Sequence, residues 1–186
     1  MIVIKLGGSL AALGKLQQCL DKIDQDYQGR AVVIVPGGGA FADQVRDAQQ
    51  QWQFDDRTAH LMAILAMQQM AFLLKALKPH FMIAASIDEI SNQINQPGVF
   101  IWSPDITELD SAGIPSSWDI SSDSLSAWLA KTLDADKLIL VKSVNIEPNF
   151  DVLKLVQEQN VDASFHKFTQ QTSFKLNIVN AEEFIS

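Results

Sequence analysis

Apolar positions along the chain gather into short, β-branched runs separated by longer stretches with helical spacing. The runs are "IVIKL" at Ile2 to Leu6, "AVVIV" at Ala31 to Val35, "FMIAA" at Phe81 to Ala85, "VFIW" at Val99 to Trp102, "KLILV" at Lys137 to Val141 and "LNIV" at Leu176 to Val179. The first, second and fifth are almost continuously apolar, as strands buried on both faces must be. Between the runs, residues such as Leu13, Leu16, Leu20 and Ile23 recur at helical intervals. This alternation predicts an α/β fold: a three-layer α/β/α sandwich around a mostly parallel sheet.

Local signals mark the helix ends. "SIDE" at Ser86 to Glu89 reads as a capping box, Ser121 or Ser122 can cap the helix through "DSLSAWLAKTL", and Lys78-Pro79 closes the long helix before the third strand. That long helix, "RTAHLMAILAMQQMAFLLKALK", is apolar on nearly every face, with Leu61, Met62, Ile64, Leu65, Met67, Met70, Phe72, Leu73, Leu74 and Leu77 circling its axis. A helix exposed on one side shows a polar stripe. Here either the helix is central to the core or part of it packs against a second subunit, so a homodimer or higher oligomer is expected. No repeat, low-complexity tract or linker divides the chain, and residues 1–186 read as a single domain.

Composition narrows the class. With 47% apolar and 19% charged residues among 186, the chain has ordinary globular character and enough length to bury a core. A formal charge of -8 removes any general attraction to nucleic acid or anionic membranes. It leaves room for a local basic pocket. Cys19 stands alone, which rules out an intrachain disulfide, suits a reducing compartment and reads as a small helix residue. The N-terminus lacks the pattern of a secretory signal, and "LMAILAM", the longest unbroken apolar stretch, is too short to span a membrane. A cytoplasmic protein is expected. His60, His80 and His166 are widely separated, so no metal site built from protein ligands is expected. The tail "VDASFHKFTQQTSFKLNIVNAEEF" ends in a plausible strand, which reads as a small but complete variant of the fold.

Candidate chemistry sits at two glycine turns. The first strand ends in Lys5-Leu6-Gly7-Gly8-Ser9 and the second in Pro36-Gly37-Gly38-Gly39, each followed by a helical pattern. Such turns admit a ligand close to the backbone, and a helix start points free N–H groups at an anion. In a parallel sheet both turns lie at the carboxyl ends of strands, where α/β folds bind ligands. Lys5, inside a buried strand, must reach the sheet edge or find an anion, and a phosphate is the one the neighbouring N–H groups also favour. A dinucleotide fingerprint is a weaker alternative. Gly37, Gly39 and Ala42 fit its spacing, but Asp55 and Asp56 run into a helix rather than ending a strand, as an NAD(P)-binding Rossmann protein would require. No phosphate-binding G-x-x-x-x-G-K-[ST] loop is present.

The stretches "KLGGSL", "VIVPGGGAFAD" and "SSDSLSAWLAKTLDADKLILV" resemble three motif blocks of the amino acid kinase superfamily, which includes acetylglutamate kinase, aspartokinase and uridylate kinase. "DDRTAHLMAILAMQQMAFLL" and "IPSSWDISSDSLSAWLA" are similar to a narrower branch linked to methanofuran and methanopterin-type cofactor synthesis, whose kinase phosphorylates aminomethylfuran phosphate. The resemblance implies ATP-dependent phosphoryl transfer to a phosphate or carboxylate acceptor, with Mg2+ arriving on the ATP phosphates. It assigns Lys5 to neutralising the transferring group, Gly7, Gly8 and Ser9 to the phosphates around it, Gly37, Gly38 and Gly39 to the acceptor, and Asp123 to orienting the lysines. Trp118 is a candidate to stack on a flat acceptor ring, or is a packing residue. Asp105, Glu108 and Asp110 are candidates to assist the metal, or are solvated surface.

The pattern departs from the family after the fifth run. Where relatives carry a "TDVDGV"-like loop and later a glycine-rich turn with a second lysine, this chain reads "VKSVNIEPNF" and has no glycine after Gly113. The nucleotide half is thus expected to be shortened, with Lys142 replacing the missing lysine and Lys167 and Lys175 as weaker candidates. Two rivals remain at this stage: a non-catalytic relative that binds the acceptor without turning over ATP, and an assembly subunit that uses the Met-rich helix.

Overall fold

A computed structural model, which describes residues 1–93, 96–147 and 149–186, turns the alternation into a layered sheet. In chain order the elements are β1 Ile2–Leu6, α1 Ser9–Ala12, α2 Leu16–Asp26, β2 Ala31–Pro36, α3 Gly39–Trp52, α4 Asp56–Leu77, β3 Met82–Ala84, α5 Ile87–Gln93, β4 Gly98–Trp102, α6 Ile106–Ser111, α7 Ser122–Thr132, β5 Lys137–Lys142, α8 Val152–Gln157, α9 Phe165–Phe168, β6 Lys175–Asn180 and α10 Ala181–Ile185. The sheet runs β3-β4-β2-β1-β5-β6, and every paired strand is parallel to its neighbour. The three near-continuous apolar runs are β1, β2 and β5, three of the four inner strands, which need apolar side chains on both faces.

Alternation along these strands divides the core in two. Val3, Val33, Val35, Leu138 and Leu140 face one layer with Leu125 and Leu129 of α7 and Phe165 of α9. Ile2, Ile4, Leu6, Val32, Ile34, Ile139 and Val141 face the other, with Leu16, Leu20 and Ile23 of α2 and Ala181 of α10. By the same two-residue period Lys5 and Lys142 both point to the α7 side. From β1 the chain moves outward to β2 and on to the edge strand β3, comes back to place β4 between those two, then crosses to lay β5 on the other side of β1. The crevice outside the carboxyl ends of β1 and β2 lies beside this reversal, where open α/β sheets bind ligands.

Several expectations are refined. Leu13 does not belong to α2: it is 57% exposed beyond α1, and the chain turns at Gly14 with φ of 67° before the helix begins at Leu16. The capping box at α5 is rearranged. Ser86 Oγ accepts from Glu89 N at 3.1 Å, while the Glu89 carboxylate takes the N–H of Ala85 rather than that of Ser86. Ser121 is the cap of α7, and Lys78 ends α4. At 22 residues α4 is long and apolar enough to cross a membrane, although its unbroken apolar runs are short. In the fold it lies along the sheet, burying Ile64, Met67, Met70 and Leu74. Its other side leaves Leu65, Phe72, Leu73 and Leu77 exposed, so it is a core helix with a second apolar face.

Candidate active site

The two glycine turns meet backbone to backbone. A Cβ added to Gly8 would stand 2.5 Å from Gly39 N, and one added to Gly37 would stand 2.5 Å from Gly8 N. No side chain fits at either position. Gly39 opens α3 in the left-handed region at φ 54°, a conformation glycine adopts without the strain a Cβ brings. The N–H groups of Gly8, Ser9, Gly38 and Gly39 have no backbone acceptor outside regular elements among the described residues. Gly7 differs: its N–H donates to Val141 O at 3.1 Å, so the expected phosphate contact through this group is corrected to a structural bond between β1 and β5. Gly37 N–H is likewise committed, to Leu6 O at 2.9 Å, leaving Gly37 to contribute close approach rather than a donor. Ser9 Oγ donates to Ser143 Oγ at 3.0 Å, tying the first turn to the segment after β5.

Beside this cradle Lys5, Asp123 and Lys142 converge. Lys5 Nζ lies 2.7 Å from Asp123 Oδ1, and Lys142 Nζ lies 2.7 Å from Asp123 Oδ2. The three side chains are 5%, 6% and 13% exposed, so a single carboxylate faces two ammonium groups in a largely water-excluded place. Burial alone would raise the Asp123 carboxyl, but the charges of Lys5 and Lys142 outweigh it and hold the group below its ordinary value. Lys142 moves the other way. Burial and then the Lys5 charge lower it to about 8, although Asp123 pulls upward. The arrangement thus carries one net positive charge, which a phosphoryl group entering the cradle would neutralise.

A cavity of about 250 Å³ opens from the cradle. Ile64, Met67, Ile120 and Leu125 give it an apolar wall, while Gly8, Gly38, Arg46, His60 and Trp118 supply its polar edge. Trp118 does line it. The indole Nε1 donates to Gln49 Oε1 at 2.6 Å, and the Arg46 guanidinium lies 4.4 Å from the ring centroid, so the tryptophan is fixed by α3 and one ring face is occupied by a cation. Burial lowers His60 below its ordinary value, opposed by a hydrogen bond that the imidazole donates to the Ser117 backbone carbonyl. A second cavity, lined by Arg46, Trp118, Asp123, Lys142 and Asp162, adjoins the first.

Other candidates lie elsewhere. Lys175 pairs in register with Lys137 at the opposite end of the sheet from Lys142, and Lys167 is on α9. Asp105 caps α6, Glu108 accepts from Ile87 N and Asp110 pairs with Arg57, so these acids have structural partners. Asp55 caps α4 and Asp56 accepts from Gln49, which removes the dinucleotide acid from any strand end. Among the described residues no group of His, Cys, Asp or Glu is arranged to hold a metal ion. Cys19 is buried, and burial raises its thiol to about 11. Arg46, Gln49 and Asp162 escaped the sequence reading. The first two had a signal: Ala42, Arg46 and Gln49 follow Gly38 and Gly39 at helical spacing and so share the face that leaves the triple-glycine turn.

Comparison with known proteins bears on the fold and the family. The chain is 29% identical over 197 residues to [5-(aminomethyl)furan-3-yl]methyl phosphate kinase of Methanocaldococcus jannaschii, covering 97% of this chain and 88% of that protein. Among solved structures, uridylate kinase from Archaeoglobus fulgidus superposes with a TM-score of 0.75 at 18% identity, over 99% of this chain and 93% of that one. UMP kinase from Bacillus anthracis superposes with a TM-score of 0.69 at 14% identity, over 97% and 87%. These likenesses show the α/β fold. The sequence profile of the amino acid kinase family matches residues 1–146, a span that holds both glycine turns, Asp123 and Lys142. The chain belongs to the amino acid kinase family.

Proposed function

We propose that the protein is an ATP-dependent phosphotransferase acting on a phosphate-bearing small molecule, of the aminomethylfuran phosphate type used in building C1-carrier cofactors. The observation that carries this reading is the pair of buried ammonium groups on one carboxylate, set beside a cradle of free backbone N–H groups. An oxygen of the acceptor phosphate attacks the γ-phosphorus of ATP. The bond from that phosphorus to the β,γ-bridging oxygen breaks, and ADP leaves as a diphosphate product forms. The attacking oxygen of a phosphate dianion has no proton to lose, so positioning and charge neutralisation are the main tasks of the protein. Lys5 and Lys142 supply the charge, Asp123 holds their positions, and Gly8, Ser9, Gly38 and Gly39 offer N–H groups. The apolar wall suits a small flat ring, Trp118 closes it, and Arg46 provides a cation at the rim. Mg2+ would come with ATP, bound mainly through its phosphates, and would share in offsetting their charge. The name of the Methanocaldococcus jannaschii relative supports this class of acceptor.

The test is direct. Purified protein with Mg-ATP is offered aminomethylfuran phosphate, UMP, aspartate and acetylglutamate, and ADP and phosphorylated product are measured. Transfer is expected to the furan phosphate, and Lys5→Ala should lower kcat by at least about 100-fold while acceptor binding survives. Transfer to none of the four overturns the reading. One specific observation favours a non-catalytic relative, the absence of glycine from the segment after β5. Calorimetry that finds acceptor binding without Mg-nucleotide binding would select it. We also infer a homodimer, with the exposed apolar side of α4 as the face a second copy covers.

A further inference from the structure

We propose that Asp162 is a positioning residue of this site, anchoring the 158–164 segment into the first turn of α7 and so holding Asp123 midway between Lys5 and Lys142. The inference rests on the kinase reading for its consequence in turnover, but its geometry stands apart from it. Asp162 lies between α8 and α9, beyond the span that the family profile matches. Its Oδ2 accepts from Ser121 N at 2.9 Å, Ser121 Oγ at 2.8 Å and Ser124 N at 2.9 Å, and its Oδ1 accepts from Ser124 Oγ. These donors flank Asp123 on both sides. One carboxylate therefore takes two N–H groups, those of Ser121 and Ser124, at the start of an 11-residue helix, where a negative charge is also favoured by the helix dipole.

A second link joins the same parts: Ser164 N donates to Asp119 O at 2.9 Å, and Phe165 is buried in the core against α7. By contrast, the α7 cap itself is weak. Ser121 Oγ accepts from Asp123 N at 3.5 Å, a long contact, because that hydroxyl is turned to Asp162. The first turn of α7 is thus fixed from outside by the C-terminal segment. Rotation of that turn by one residue would carry the Asp123 carboxylate away from one lysine or the other. Asp162 also lines the second cavity with Asp123 and Lys142, so its charge is felt by the lysine. Burial raises the Asp162 carboxyl above its ordinary value, with the Ser124 hydrogen bond opposing and the Asp123 charge adding to the rise.

Two variants separate position from charge and from simple folding. Asp162→Asn can still accept through its carbonyl from the Ser121 and Ser124 groups and donate to the Ser124 hydroxyl. Asp162→Ala cannot. Both are checked for folding by circular dichroism. With aminomethylfuran phosphate as acceptor, the expected result is a kcat fall of about 10- to 100-fold for Asp162→Ala with the acceptor KM unchanged, and substantial recovery in Asp162→Asn. Independently of turnover, the ε-carbon shifts of lysine in 13C-labelled protein report the titration of Lys142, whose charged neighbours are Lys5, Asp123 and Asp162. Loss of the Asp162 charge moves that titration to lower pH in both variants, further in Asp162→Ala, where Asp123 is also released. If the folded Asp162→Ala protein keeps wild-type kcat and an unmoved Lys142 titration, Asp162 is a folding latch only and the proposal is wrong. A raised acceptor KM at unchanged kcat overturns it in favour of a binding role. Inactive wild-type protein sinks the kinase reading, while the lysine titration still decides the placement of Asp123.

Discussion

Lys142 shows how a single residue carries opposing demands on folding and on chemistry. Burial and the Lys5 charge lower its ammonium to about 8 from an ordinary 10.5, with Asp123 pulling upward. Above about pH 8 the folded protein has begun to release this proton while the unfolded chain retains it until about 10.5. The unfolded state then binds more protons, so this group makes the fold more stable as pH rises across that window. Turnover has the opposite sign, because a neutral amine no longer offsets phosphoryl charge. A kcat/KM profile should fall through about pH 8 while denaturant midpoints do not fall in parallel, and Lys142→Met should remove the falling limb with most of the activity. A falling limb that coincides with loss of folded protein would refute the assignment. The sequence marked Lys5 and Lys142 by their place at strand ends. It could not show that both face α7, because that follows only once the sheet registers them two rungs apart.

At the scale of elements, β1 with its turn and β2 with its turn act as one part. Their glycines are required by mutual approach: the space a Gly8 Cβ would fill holds the backbone of Gly39, and backbone cannot move aside as a flexible side chain does. Gly8→Ala should therefore push the turns apart, reducing kcat more than about 100-fold and lowering the denaturation midpoint. Gly113→Ala is the control, since nothing stands within 4 Å of its added Cβ and only its φ of 72° is strained. Gly113→Ala should leave turnover intact, and equal effects of the two substitutions would show that the turns do not meet as described. The glycine turns were legible because both features, strand end and helix start, are local. The commitment of Gly7 N–H to Val141 was not, since β5 is distant in sequence and adjacent only in the sheet.

For the whole molecule, α4 links the cavity to the face proposed for a second copy. α4 supplies Ile64 and Met67 to the cavity beside the glycine turns and turns Leu65, Phe72, Leu73 and Leu77 outward. These outward residues follow at helical spacing and form a stripe without charge, and a second copy would bury it two-fold symmetrically. Sedimentation of the wild type should give a dimer, and Phe72→Glu should give a monomer of unchanged circular dichroism. A wild-type monomer would remove the interface. Through the same helix, weakened acceptor affinity in the monomer is expected if the dimer stiffens the cavity wall. The sequence by itself determined the six strands, the parallel α/β plan and the two glycine turns, because each is written in a local period or in contiguous residues; Asp123 it marked only through the family resemblance, and Trp118 it left between ring stacking and packing. Only the tertiary structure decided that one carboxylate is shared by two lysines, that Arg46 covers Trp118, and that Asp162 grips the start of α7 from a segment about 40 positions later. These are contacts between distant stretches of chain. Sheet order and helix packing bring them together, and no periodicity within either stretch encodes the meeting.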